Sequence, residues 1–126
     1  MHEIVIGGVS CPLNFGMGFL REVNKQAKVP VAGFPGKSID LGFRYLYGRM
    51  TGVEDVEALE TILLEGNRNQ NPRLTIAVLD NYIDEEVEDI DELFKMVTDF
   101  LKQTNALKKT IRLIEEEQMT QETPES

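Results

Sequence analysis

LNFGMGFLREVNK, residues 13–25, stands directly behind EIVIGGVSCPL, residues 3–13, and together they read as an amphipathic helix behind a short hairpin. Ile4, Ile6, Val9 and Cys11 alternate with Glu3, Val5 and Ser10 around Gly7-Gly8, a two-residue connection suited to the positive-φ positions of a tight hairpin turn. Phe15, Phe19 and Val23 recur at fourfold spacing, which predicts a buried helical stripe. With Asn14 as the capping residue, its side chain would accept a hydrogen bond from one of the first free amides. Gly16 and Gly18 each cost about 1 kcal/mol inside a helix relative to alanine. They are therefore read as places where the hairpin, a neighbouring helix or another subunit comes close. A lone two-stranded hairpin is marginal in water, so this one has to lie on the helices or pair with a strand edge of another chain.

The remaining pattern is helical, and the expected fold is mostly α (α+β): a short N-terminal β-hairpin followed by about five helices in a single domain. The first helix covers about 14–27 and stops at Val29-Pro30, because the residue before a proline is pushed out of helical geometry. A Pro/Gly loop follows. The second helix starts near Ser38 or Asp40, carries Leu41, Tyr45 and Leu46, and ends by Gly52. Thr51 and Glu54 are spaced as a capping box for the third, whose stripe is Val56, Leu59, Ile62 and Leu63. Asn71-Pro72 reads as a cap with proline in the first helical position, leading into Leu74, Val78, Leu79 and Tyr82. The fifth helix, with Ile90, Leu93, Phe94, Val97, Phe100 and Leu101, fits the helical period well. A last short helix from Ala106 carries Leu107, Ile111 and Ile114. From Glu115 onward too few apolar side chains remain to order the chain, which divides it into a domain at 1–117 and a flexible acidic tail at 118–126.

Composition narrows the function. The chain has 126 residues, is 41% hydrophobic and carries a formal charge of −9, so it suits one core and lacks the basic footprint that nucleic-acid binding requires. The first 53 residues hold six Lys/Arg against three Asp/Glu, the remaining 73 seven against nineteen. A protein partner is expected, with no nucleic acid and no membrane, since no apolar run approaches the roughly 18 residues of a membrane span. Cys11 is the single cysteine, which excludes an intramolecular disulfide and fits a reducing cytoplasm.

Three stretches suggest chemistry and fail on it. Residues 31–38, VAGFPGKS, match a phosphate-binding loop except for valine in place of the first glycine, and residues 74–80, LTIAVLD, resemble a magnesium-holding strand. That loop works when a buried strand delivers it and its amides wrap phosphate. Here QAKVP precedes it, and no doubly wound sheet can be drawn through so helical a chain. Residues 84–92, DEEVEDIDE, would place Asp89 where a calcium loop needs glycine, so they read as the solvated start of a helix, favourable to its dipole, and as an exposed protein-docking patch. His2 is the only imidazole, so neither a zinc tetrad nor a base for Ser10, Ser38 or Ser126 is available. No catalytic residue, no metal ligand and no cofactor is assigned.

The order of hairpin, FG-containing helix with a following arginine and acidic residue, Pro/Gly loop, LGFRYLYG helix at 41–48 and IDELFKMVTDFLK helix at 90–102 resembles the tail assembly chaperones of long-tailed bacteriophages. The likeness spans nearly all of residues 1–118. It implies a non-enzymatic, mostly helical protein that coats and solubilises the tape measure protein and recruits major tail protein. It further implies self-association into a homo-oligomer, activity in the host cytoplasm and absence from the finished virion. The family offers no fixed ligand residues. From the residues themselves, the expected protein-binding set is Phe15, Gly16, Met17, Gly18, Phe19 and Leu20 with Tyr45, Tyr47 and Met50, since a holdase needs aromatic and Met side chains for a helical client. Two other readings fit parts of the chain: an acidic adaptor or inhibitor mimicking nucleic acid, and a small nucleotide-binding protein.

Overall fold

Gly7 and Gly8 hold φ of 58° and 78°, and they turn β1 (His2–Ile6) back on β2 (Val9–Leu13) in the computed structural model, which describes residues 2–122. The antiparallel register pairs Ile4 with Cys11 and His2 with Leu13, so the inner face presents Ile4, Ile6, Cys11 and Leu13, all buried. Val5 and Glu3 face outward, as alternation demands. The hairpin lies on the helices. Asn14 N donates to Gly66 O at 2.8 Å, Gly7 N to the Glu86 carboxylate at 2.8 Å, and His2 stacks on Phe100 with ring centroids 4.2 Å apart.

Six α-helices follow: α1 (Met17–Asn24), α2 (Gly42–Gly52), α3 (Val56–Gly66), α4 (Ile76–Asn81), α5 (Ile90–Gln103) and α6 (Asn105–Glu122). Helix α2 is the hub, touching α1, α3, α5 and α6. Its Phe43, Leu46, Tyr47 and Met50 are buried, and Phe43 links the Phe19 ring at 6.1 Å to the Tyr47 ring at 5.7 Å. Helix α5 seals the core with Leu93, Val97 and Leu101, and α6 with Leu107, Ile111 and Ile114. These are the stripes that the helical period marked.

The boundaries differ from the expectations in ways that local chemistry explains. The Pro/Gly loop contains a second hairpin, β3 (Lys28–Pro30) with β4 (Ser38–Asp40), pairing Val29 with Ile39. Gly33 and Gly36, both at φ 82°, turn its connection. Helix α1 is thus shorter at both ends than 14–27. Asn14 does not cap it: its Oδ1 accepts from the N–H of Gly16, the N-cap residue itself, at 2.9 Å, and not from an amide of the first turn. The capping box at Thr51 is not formed either. The Thr51 hydroxyl donates to Tyr47 O inside α2, and Asp55 caps α3 by accepting from Glu57 N and Ala58 N. Thr75, not Asn71, caps α4. The last helix is long, 18 residues to Glu122; residues 123–126, the end of the expected tail, lie outside the described residues.

Candidate functional site

The expected binding residues divide by burial. Phe15, Phe19, Tyr47 and Met50 lie in the core, where the Phe15 and Phe19 rings meet edge to face at 5.0 Å. Burial, with Glu115 nearby, pushes the Tyr47 hydroxyl up to about 12. Gly16 and Leu20 are half-buried. Met17, Gly18 and Tyr45 reach the surface, Met17 and Tyr45 at 57% and 58% exposure, and Arg49 sits over the Tyr45 ring at 5.3 Å. The structure therefore separates a surface subset from the core members that share its helices. A long aromatic side chain at helical spacing serves either purpose, and spacing alone does not distinguish them.

The glycines are corrected. A Cβ built at Gly18 meets nothing within 4 Å, so no hairpin or helix of this chain presses on it. It opens instead on a polar cleft of about 500 Å³ shared with Arg21, Glu65 and Arg68, where Arg68 and Glu65 form a two-pronged ion pair of 2.8 and 3.0 Å. At Gly16 the nearest atom is only Asn14 Oδ1 at 3.1 Å. The close approaches lie elsewhere: Gly42 sits against the Val23 carbonyl and Gly66 against the Phe15 ring. The helix-ending pattern around Gly66 and the loop-to-helix position of Gly42 gave no sign of crowding.

Two surfaces stand out among the described residues. The first is the β3–β4 arm. Its strands are exposed throughout, and Val29, Phe34 and Ile39 are 46%, 62% and 51% accessible. Its base is clamped where Leu41 N donates to Ala27 O at 2.8 Å and Phe43 N to Asn24 Oδ1 at 3.0 Å. The second is a groove of about 660 Å³ between the outer face of β1, the π-turn at Tyr82–Glu86 and α5. Val5, Tyr82, Val87, Leu93 and Met96 give it an apolar floor. Glu86, Glu88, Asp89, Glu92 and Asp99 rim it, with Lys95 the one cation among the lining residues. Asp89 also caps α5, accepting from Asp91 N and Glu92 N at 3.1 and 3.2 Å. The acidic run at 84–92 is thus split between the π-turn and the α5 cap instead of forming one continuous helix start.

The stretches that suggested chemistry in the sequence do not take the shapes that chemistry needs. The segment 31–38 connects β3 to β4, so it does not pass from a buried strand into a helix as phosphate cradles do. Residues 76–80 of LTIAVLD are helical. The buried Cys11 thiol is pushed up by desolvation, which withholds the thiolate that nucleophilic chemistry needs. Among the described residues no cluster of three or more His, Cys, Asp or Glu could hold a metal ion, and no helix is long and apolar enough to cross a membrane.

Residues 3–116 match the family model described as phage tail assembly chaperone protein, TAC. No curated protein and no solved structure matches the chain.

Proposed function

This chain belongs to the phage tail assembly chaperone family, and from that membership we propose that it binds the tape measure protein, keeps it soluble and brings major tail protein to it. The observation that carries the reading is a match running from β1 into α6, which takes in the whole packed core. Membership places the protein in phage tail assembly among tail-protein partners and suggests a non-enzyme. The finer reading is that it acts in the host cytoplasm and is absent from the mature virion. The surface favours a holdase. The arm offers Val29, Phe34 and Ile39 to a client without disturbing the core, and Met17 and Tyr45 add further apolar contact. Self-association belongs to the same proposal: the uncrowded backbone at Gly18 is where a second copy would approach.

Co-purification tests this. A tagged chain expressed with the tape measure protein of the same genome is expected to retain it, and the triple variant Val29→Ser, Phe34→Ser, Ile39→Ser to lose most of it while keeping the wild-type circular dichroism spectrum. Failure of the wild-type chain to retain the client contradicts the proposal, and full retention by the triple variant removes the arm from it.

A further inference from the structure

The groove between β1 and α5 has a chemistry more specific than an apolar patch. Helix α5 is two-faced: Leu93, Val97 and Leu101 enter the core, whereas Glu92, Met96 and Asp99 follow one another at four and three residues along the groove, the spacing of neighbours on one helical face. Val5 continues the apolar floor from the hairpin and is 56% exposed. Among the described residues the five ion pairs leave Glu88, Glu92 and Asp99 without a cation. These carboxylates flank apolar surface, and among the described residues none of them is held in an ion pair of the fold.

We propose that this groove is a docking site for a cationic amphipathic helix, whose apolar stripe covers Val5 and Met96 while its lysines or arginines meet Glu88, Glu92 and Asp99. Charge complementarity selects the occupant. A rim of five carboxylates against one lysine repels an acidic segment, and the approach of a second copy is assigned to Gly18, which does not line this groove. Geometry selects the helix. Glu92 and Asp99 are seven residues apart, about 10.5 Å along the axis, which is the separation of two basic residues at i and i+7 on a helix lying alongside. Apolar anchors in a groove with charges at its edge are how amphipathic helices are read by their receptors. The proposal deepens the chaperone reading and rests on it for the existence of a helical client.

The test uses the full chain and a synthetic probe: a labelled 18-residue peptide with a leucine stripe flanked by lysines, measured by fluorescence anisotropy. The wild-type chain is expected to bind it, to bind at least tenfold more weakly the same peptide with glutamate for lysine or serine for leucine, and to lose affinity as salt rises. The double variant Glu92→Lys, Asp99→Lys is expected to lose at least tenfold, Val5→Thr about threefold, and Glu57→Lys, outside the groove, less than twofold. An equal loss in Glu57→Lys means unspecific attraction to an acidic protein and overturns the proposal, as does absence of peptide binding. Should the double variant fail to fold, unchanged binding by Val5→Thr overturns it independently. A wild-type chain that self-associates and becomes monomeric in the double variant would place a second copy in the groove, which also overturns it. Since no tape measure protein is used, a negative result here leaves the chaperone reading to stand or fall on co-purification.

Discussion

Asn67 is the polar residue on which the loop between α3 and α4 depends. It is 1% exposed, and its amide donates to Pro12 O and Pro72 O at 3.0 Å each while its Oδ1 accepts from Leu74 N. One side chain thus ties the hairpin to both ends of the loop. Asn67→Ala leaves the buried Leu74 N–H without a partner, at about 1–3 kcal/mol, and loses two part-buried bonds; it is expected to lower the unfolding free energy by roughly 3 kcal/mol in urea titration. An unchanged midpoint would contradict this role. The glycines give a paired prediction. Gly18→Ala fills open space in a helix and is expected to stabilise by about 0.5 kcal/mol, whereas Gly42→Ala drives a methyl into the Val23 carbonyl and is expected to cost about 2 kcal/mol. Thermal melts of the two variants should shift in opposite directions.

At the scale of elements, α3, α4 and the π-turn bring acids together. Burial raises the Glu60 carboxyl to about 7, helped by a hydrogen bond to Asp80 and by the charges of Asp80, Asp84 and Glu57. Folding therefore favours protonated Glu60. Its contribution to stability is complete below its ordinary value of 4.5 and is lost as pH rises to about 7, because over that window the folded chain binds more protons than the unfolded one. Glu60→Gln is expected to flatten the fall in stability between those pH values, measured by urea denaturation at each pH. A slope identical to wild type would remove Glu60 from the account.

The same scale shows what the sequence could and could not reveal. Stripes such as Leu93, Val97 and Leu101 were legible because burial of one helical face imposes its period on sequence. The first hairpin was legible because Gly-Gly between alternating residues leaves few alternatives. The second was not: Lys28–Pro30 and Ser38–Asp40 are exposed on every residue, so no buried alternation marks them, although Gly33 and Gly36 signalled the turn between them. Caps went astray where two hydroxyl or carboxylate residues stood close together. Thr51 is spent on Tyr47 O, and Asp55 supplies the α3 cap. Of the expected binding residues, Met17, Gly18 and Tyr45 lie on the surface, but their helical spacing did not set them apart from the core members. Of the groove, the acidic rim at 84–92 was legible and the apolar floor was not, because only tertiary structure makes Val5 and Met96 neighbours.

For the whole molecule, all six helices contribute to one core, α4 through Leu79, and the exposed arm and the acidic groove lie outside it. Tyr47, Met50, Phe15 and Phe19 hold the fold, and the arm and the acidic groove are the surfaces the proposed binding uses. A charge of −9 opposes association between exposed apolar side chains, as the proposed holdase role requires. Membership of the phage tail assembly chaperones gives that division of labour a purpose. Under the proposed function, this chain keeps the tape measure protein in solution. The most direct test is the soluble fraction of that protein, expressed alone and together with this chain, after centrifugation of the lysate. The account predicts a shift of the tape measure protein from pellet to supernatant when this chain is present; an equal distribution in both cases would contradict it.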